Sequence, residues 1–300
     1  MSDLIINLDG TVAGHRAAMG LALLAALLHA VFGALQKGRH DPWLSRGAID
    51  GWLVVLSAPV ALFLVPWPQG AEWRVLAGAM AIHLIYKLGM ATSLSRGAFT
   101  VVYPVVRGTG PLFTVFGAWV IFDEVFGPLQ WLGVGVLLAG IFGLAAYNLR
   151  HVEVGRDTLR PALLLAVGTG AMVALYTTYD AYGIRLTPDP FTFLAWFFLL
   201  TSLDFPIIAA LRYRAMTAPP APGPLLARGL VGALVAWGSF GSVMLATRLD
   251  KVGEAAVLRE TSIVFAALIG WLWLGETVGP RRMVLMGLIA AGAVIVEFGG

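Results

Sequence analysis

Long runs of apolar residues alternate with short polar or Pro/Gly-rich gaps along the whole chain. Each run is roughly 18 to 24 residues long, the length that a helix needs to cross a hydrocarbon core of about 30 Å. The pattern predicts an all-α membrane protein with ten transmembrane helices, at residues 16–36, 50–67, 75–94, 99–121, 129–148, 161–182, 191–211, 227–246, 253–274 and 283–299.

The second half of the chain repeats the first at an offset of 152 residues. Eight matching positions carry this repeat: Arg96, Arg107, Trp119, Glu124, Gly127, Pro128, Gly135 and Gly140 recur as Arg248, Arg259, Trp271, Glu276, Gly279, Pro280, Gly287 and Gly292. Because five spans per half is an odd number, the second copy would cross the membrane in the opposite direction. We therefore predict two inverted five-helix repeats, residues 1–150 and 151–300, as in many secondary transporters.

Composition agrees with a lipid bilayer as the chain's environment. Hydrophobic residues make up 59% of the chain, charged residues 12%, and the mean hydropathy is +0.83, whereas soluble domains are about a quarter charged. The absence of cysteine excludes disulfides, thiolate metal sites and a cysteine nucleophile. The pI of about 9.4 does not predict a nucleic-acid partner, because the basic residues fall singly in short gaps.

The distribution of Lys and Arg between the gaps predicts the orientation, because cytoplasmic loops retain these residues. The gaps on one side hold 12 of them: Lys37, Arg39, Arg46, Arg96, Arg150, Arg156, Arg160, Arg212, Arg214, Arg228, Arg281 and Arg282. The other side holds 5: Arg16, Arg74, Arg185, Arg248 and Lys251. This bias predicts that both termini lie outside the cytoplasm.

Three basic residues, Lys87, Arg107 and Arg259, remain inside predicted spans. Burying such a charge costs on the order of 3 kcal/mol, so each is a candidate functional residue. Arg107 and Arg259 occupy equivalent places in the repeats, and inverted symmetry would bring them to one central cavity. Two guanidiniums there would suit a carboxylate or phosphonate. The alternative is that the basic residues pair with acids and only hold the bundle together; the candidate partners are Asp180, Asp204, Glu254 and Glu260.

Further polar residues complete the predicted site. His83 and Lys87 share one helix face, four residues apart, with Tyr86 beside them. Asp180 is a candidate counter-ion for Lys87 or a proton carrier, and Glu260 is a second candidate for proton coupling. The predicted substrate-binding set is His29, His83, Tyr86, Lys87, Tyr103, Arg107, Tyr176, Asp180, Trp237, Arg259 and Glu260.

Two local features carry structural predictions. Pro104 and Pro111 flank Arg107, so the fourth span should be kinked or locally unwound beside a cavity. Small-residue runs in the fifth and tenth spans predict close-packing or dimerisation surfaces. Glu124 and Glu276, which end spans on opposite sides of the membrane, are expected to be structural acids and not a catalytic pair.

These features resemble a known family. The repeated Glu-x-x-Gly-Pro ending (Glu124 and Glu276), the Gly/Ala-rich fifth helix of each half and the 5+5 plan resemble the EamA-type branch of the drug/metabolite transporter superfamily. Four segments resemble EamA-type proteins associated with phosphonate utilisation: Leu28-His29-Ala30 with Lys37, Tyr103-Pro104-Val105-Val106-Arg107-Gly108, Tyr176-Thr177-Thr178-Tyr179-Asp180 and Leu258-Arg259-Glu260-Thr261-Ser262.

The resemblance implies an inner-membrane carrier, commonly an exporter of amino acids or other small metabolites. Helices 1–4 and 6–9 would surround the cavity, with helices 5 and 10 peripheral. Family members often have cytoplasmic termini, in contrast to the orientation that the loop charges predict here.

The sequence thus predicts a secondary active exporter of small zwitterionic or anionic metabolites that works by alternating access, with proton or ion coupling, as a monomer or homodimer. No Gly-x-x-x-x-Gly-Lys motif indicates nucleotide drive, and no cofactor or metal is expected. A channel or a non-transporting membrane sensor remains an alternative. An intramembrane enzyme would need a nucleophile–base pair or a metal cluster, which the spacing of His29, His83 and the acids does not indicate.

Overall fold

Every regular element in the described part of the chain is helical, as predicted. The computed structural model describes residues 2–36, 41–96, 99–151, 156–274 and 279–300. The helices are α1 (Ser2–Leu8), α2 (Val12–Gln36), α3 (Pro42–Pro59), α4 (Ala71–Arg96), α5 (Phe99–Phe122), α6 (Pro128–His151), α7 (Arg156–Leu186), α8 (Pro190–Thr201), α9 (Asp204–Ala215), α10 (Pro222–Leu249), α11 (Val252–Arg259), α12 (Ser262–Leu274) and α13 (Pro280–Phe298). A π-helical turn, Val60–Leu64, continues α3.

Eight segments of the described residues are long and apolar enough to cross a membrane: Val12–Gly33, Pro42–Leu64, Ala71–Ser93, Val105–Phe122, Pro128–Tyr147, Leu163–Leu186, Pro190–Ala215 and Pro222–Leu249. They correspond to the first eight predicted spans. The ninth predicted span is divided between α11 and α12, and α13 carries Arg281, Arg282 and Glu297 within 19 residues. The count of ten spans and the inverted relation of the halves therefore stay predictions.

The interruption that the sequence predicted beside Arg107 lies elsewhere. α5 is helical through Pro104 and Pro111, so it is not unwound there, and the other predicted form, a kinked helix, stays a prediction. The break falls at Glu260–Thr261, between α11 and α12. There the Thr261 hydroxyl donates to the Leu258 carbonyl at 2.7 Å, and the Thr261 amide donates to the same carbonyl at 3.1 Å. A hydroxyl that competes for a backbone carbonyl favours such a tight turn over a continued helix.

Contacts between the connections define two ends of the bundle. At the basic end, Arg212 in the last turn of α9 pairs with Asp41 before α3, with 2.9 Å between nitrogen and oxygen. At the opposite end, Glu124 in the α5–α6 connection contacts Val252 at the start of α11. α8 lies in the centre, where most of its side chains are buried and Phe193 and Phe197 pack into the largest core cluster.

Small residues let α6 and α13, the predicted fifth and tenth spans, pack against each other. A Cβ on Gly292 would lie 2.5 Å from the backbone nitrogen of Leu137 and 2.7 Å from the carbonyl oxygen of Gly133. The two helix backbones therefore touch directly at this point. The predicted close-packing surface is confirmed at Gly133, Gly140 and Gly292, whereas Gly135 and Gly287 have no neighbour within 4 Å of such a Cβ.

This packing predicts a matched pair of substitutions on α13. Gly292→Ala should lower the free energy of unfolding by about 1–3 kcal/mol, because the new methyl group would overlap the α6 backbone. Gly287→Ala should cause no loss, because nothing lies near it and alanine favours a helix over glycine by roughly 1 kcal/mol. Thermal unfolding of the purified protein in detergent measures both. Equal melting temperatures for the two variants would contradict this account of the interface.

Candidate functional site

The two arginines at equivalent repeat positions lie side by side in the centre of the bundle. Arg107 comes from the middle of α5, and Arg259 is the last residue of α11. Both residues are buried, 5% and 4% exposed. One terminal nitrogen of Arg107 donates to the backbone carbonyl of Arg259 at 3.4 Å. The structure therefore brings together the two arginines that the repeat identified as candidate site residues.

The two guanidiniums have different surroundings. Arg107 Nε lies 2.9 Å from Glu260 Oε2, and its terminal nitrogen donates to the Ser262 hydroxyl at 3.1 Å. Arg259 forms no ion pair within 4.0 Å among the described residues, and its buried Nε has no hydrogen-bond partner there. The break after α11 creates this difference, because it turns Glu260 and Ser262 toward Arg107. Arg107 has a direct carboxylate partner, and Arg259 has none within 4.0 Å among the described residues.

A second buried pair joins α4 to α7. His83 Nε2 lies 2.7 Å from Asp180 Oδ2, while Asp180 Oδ1 is buried and has no hydrogen-bond partner in the described part of the chain. Asp180 is thus bound to a histidine and not to Lys87, so the interpretation of Asp180 as the Lys87 counter-ion was wrong.

A narrow pocket between α7, α10 and α11 lies beside these groups. Its wall includes Asp180 from α7 and Arg259 from α11, so an acid and a base face one space. The hydroxyl oxygen of Thr177, also in the wall, is buried without a partner among the described residues. The lining residues are Tyr176, Thr177, Asp180, Phe240, Val243, Met244, Thr247 and Arg259.

Aromatic rings form one side of this pocket. Tyr176 packs against His83 with ring centres 4.7 Å apart, and against Phe240 at 5.7 Å. Tyr86 also contacts Tyr176, with ring centres 4.8 Å apart. His83 and Tyr86 therefore contact the wall residue Tyr176. The prediction that they line the cavity themselves is corrected, because neither is among the lining residues.

Lys87 belongs to a separate charge cluster near the basic end. Its Nζ lies 2.9 Å from Asp50 Oδ2 and 2.5 Å from Asp204 Oδ1, and Arg46 Nε lies 2.9 Å from Asp50 Oδ1. Two bases thus meet two acids. The prediction that Lys87 lines the same cavity as the arginines is corrected, because its ammonium group is enclosed by these acids. The alternative, that Lys87 pairs with a carboxylate, agrees with the structure.

Three predicted site residues remain: His29, Trp237 and Tyr103. His29 is half-buried and within electrostatic range of both Arg107 and Arg259. Trp237 is corrected: its residue is 44% exposed on the outside of α10, where it packs against Phe198 and does not reach the pocket. The side chain of Tyr103 lies outside the described residues.

The sequence pattern did not identify the contribution of α10 to the pocket. Phe240, Val243 and Met244 are ordinary residues of an apolar helix, so nothing in their spacing marked them. Thr247 is the one lining residue of α10 whose polarity offered a hint. The acid Asp50 was also missed, because it lies at the edge of a predicted span.

Glu124 has the structural role expected of it. Its two carboxylate oxygens accept hydrogen bonds from the backbone amides of Val252 at 2.7 Å and Gly253 at 3.0 Å, at the start of α11. Burial raises the pKa of the Glu124 carboxyl, and these two hydrogen bonds act in the opposite direction. Glu124 thereby fixes the start of the short helix that ends in Arg259. Its repeat equivalent, Glu276, lies outside the described residues.

Comparisons with known proteins agree with this architecture. Residues 160–298 match the model of the EamA-like transporter family. A curated protein of Synechocystis sp. (strain ATCC 27184 / PCC 6803 / Kazusa), described as uncharacterized transporter sll1319, is 32% identical over 89 residues. That match spans 29% of this chain and 26%, about a quarter, of that relative.

A solved structure, described only as a crystal structure of a protein, shares the fold over most of both chains. It superposes with a TM-score of 0.72 at 17% identity and covers 96% of this chain and 99% of its own. The family match, the apolar helices and the shared fold lead to one conclusion. The chain is a multi-pass membrane protein whose residues 160–298 are similar to the EamA-like transporter family.

Proposed function

We propose that the chain is a secondary active exporter of small zwitterionic or anionic metabolites, such as amino acids. One observation carries this proposal. Arg259 Nε and Asp180 Oδ1 belong to side chains of opposite charge, both atoms are buried without hydrogen-bond partners among the described residues, and both residues line one pocket. A buried polar atom without a partner costs about 1–3 kcal/mol. A ligand with an anionic and a cationic group would supply both partners.

The chemistry of the pocket favours a definite orientation of such a ligand. The planar guanidinium of Arg259 matches a carboxylate through paired hydrogen bonds. Asp180 and the Thr177 hydroxyl would accept hydrogen bonds from an ammonium group. Tyr176 and Phe240 would contact the apolar part between the two charged groups. An anion without an amino group would bind through Arg259 and leave Asp180 Oδ1 without a partner.

The transport cycle is proposed from the repeat. The two halves would be inverted repeats that alternate between inward-open and outward-open shapes around this pocket, in an inner membrane with both termini outside the cytoplasm. The pairing of α6 with α13 supports a peripheral place for these two helices. Asp180, bound to His83, and Glu260, bound to Arg107, are the candidate groups for proton coupling.

Flux measurements on purified protein in proteoliposomes test the proposal. A thermal-shift screen against amino acids, phosphonates and amines would first select a ligand, because a ligand that binds the folded state raises its apparent stability. The selected compound should then show saturable flux that depends on a gradient of the compound or of protons. Linear, non-saturable flux would instead indicate a channel, and binding without flux would indicate a sensor.

Asp180→Asn should show which end of the ligand Asp180 binds. The variant should bind a zwitterionic ligand at least about tenfold more weakly, because a charge-assisted hydrogen bond to the ammonium group is lost. Its affinity for the same compound without the amino group should change little. Asp123→Asn is the control, because Asp123 is exposed and has a φ of 55°, which asparagine tolerates. Equal losses for both compounds in Asp180→Asn would contradict the proposed orientation.

A further inference from the structure

A second group of ligand-type side chains lies at the opposite end of the bundle, outside the pocket. It joins His15 of α2, Asp250 in the α10–α11 connection, Glu254 of α11 and Glu297 of α13. We propose that His15, Asp250 and Glu254 bind one divalent transition-metal ion, such as Zn²⁺ or Mn²⁺, and that Glu297 orients the His15 ring. This site is independent of the transport activity proposed above.

The donor atoms lie close enough to share an ion. One ligand atom each of His15, Asp250 and Glu254 lies within 4.8 Å of the others. Donors placed about 2.1 Å from a tetrahedral Zn²⁺ are about 3.4 Å apart, so only small side-chain rotations would be needed. His15 Nδ1 contacts Asp250 Oδ2, and His15 Nε2 lies 3.6 Å from Glu297 Oε1.

Glu297 gives an independent indication of a missing ligand. Its side chain is only 3% exposed, yet Oε1 has no hydrogen-bond partner among the described residues. A buried carboxylate oxygen in that state is costly unless a cation or a donor meets it. The nearby group is the imidazole of His15, whose Nε2 lies 3.6 Å from Glu297 Oε1. An ion on Nδ1 would leave the Nε2 proton directed at this carboxylate, the arrangement that commonly orients a metal-binding histidine.

The charge of the cluster also favours a dication. Three carboxylates meet one permanent cation, Lys251, whose Nζ lies 2.8 Å from Glu254 Oε1. The amide of Gln130 donates to the same oxygen at 2.7 Å and adds no charge. Even with His15 protonated, the group would keep an excess negative charge, which a bound dication would offset.

The donor set selects the class of ion. An imidazole nitrogen together with carboxylate oxygens suits Zn²⁺ or Mn²⁺, whereas Ca²⁺ and Mg²⁺ prefer oxygen ligands alone. The His15 side chain is 42% exposed, which leaves a path for the ion to enter. A bound ion would link α2 and α11 to the α10–α11 connection, which begins three residues after the pocket residue Thr247.

Metal binding by the purified, tag-free protein in detergent tests the site. The protein is first stripped with EDTA and then given Zn²⁺ or Mn²⁺. It should retain about one ion per chain on desalting and should melt at a higher temperature with the ion than without it. His15→Ala and Glu297→Gln should each weaken binding at least about tenfold. Elemental analysis and thermal shifts against ion concentration give the two readouts, with Mg²⁺ as the comparison ion.

Asp9→Asn is the matched control, because Asp9 is an exposed acid at the same end and outside the cluster; it should bind the ion as the unmodified chain does. The proposal is overturned if the unmodified chain shows neither retained ion nor a thermal shift, which would leave His15 as a protonated bridge between carboxylates. It is also overturned if His15→Ala binds equally well. If Glu297→Gln fails to fold, the exposed His15 variant decides the question alone.

Discussion

Arg259→Ala is expected to abolish ligand binding and transport while the protein stays folded in the membrane. The guanidinium is buried and has no ion pair within 4.0 Å among the described residues, so its removal breaks no direct ion pair. Removing a buried cation of this kind should leave the melting temperature without ligand unchanged or raise it. Loss of a charge-assisted pair with the ligand's anionic group should weaken binding about a hundredfold or more. Calorimetric titration with the selected ligand measures the loss.

Two comparisons make the Arg259 result specific. Arg212→Ala removes a largely exposed arginine paired with Asp41 and should bind the ligand normally. Arg107→Ala should also lose transport, but it leaves Glu260 buried without its guanidinium, so it should melt at a lower temperature. Arg107→Ala combined with Glu260→Ala should regain stability without regaining transport. Unchanged ligand affinity in Arg259→Ala would remove Arg259 from the proposed site.

The sequence alone was enough to predict the fold class and to nominate the arginine pair. Apolar runs of membrane-spanning length are visible without any structure, because lipid demands them along a whole helix. The 152-residue offset singled out Arg107 and Arg259, and the structure places them in contact. Both inferences used features that are repeated along the chain, which is why they survive errors of a few residues in the helix boundaries.

Features that depend on a single local competition could not be predicted in the same way. Proline marks a lost backbone hydrogen bond, but the neighbouring turns of α5 stay helical around Pro104 and Pro111. The break instead follows Arg259, where the Thr261 hydroxyl and amide both bind the carbonyl of Leu258. That break determines which arginine Glu260 pairs with, so the sequence did not show that the two arginines have different surroundings.

The sequence also did not show which charged residues, distant along the chain, pair with each other. Lys87 was predicted to line the cavity because His83, four residues earlier, lies on the same helix face. The direction of a long side chain depends on what lies beyond its tip, and Asp50 and Asp204 lie there. Trp237 was assigned to a pocket because it is central in its span, but the depth of a residue along a helix does not determine the face on which it lies.

Lys87→Met should destabilise the protein strongly, by about 3–5 kcal/mol, because it leaves buried carboxylates without their cation. Asp50 keeps its contact with Arg46, 2.9 Å away, whereas Asp204 loses the Lys87 ammonium group that now lies 2.5 Å from it. Methionine keeps the aliphatic length, so lost packing contributes little to the effect. Thermal unfolding in detergent should show a melting temperature lower by about 5 °C or more.

Restoring the charge balance distinguishes this explanation from a general packing defect. In Lys87→Met combined with Asp204→Asn, one base and one acid remain, Arg46 and Asp50, and they are already paired. Most of the lost stability should return, because no buried charge is left without a partner. Asp189→Asn combined with Lys87→Met is the control, because Asp189 caps α8 at the opposite end and cannot relieve Asp204. Equal recovery in both double variants, or in neither, would show that Lys87 does not act by neutralising Asp204.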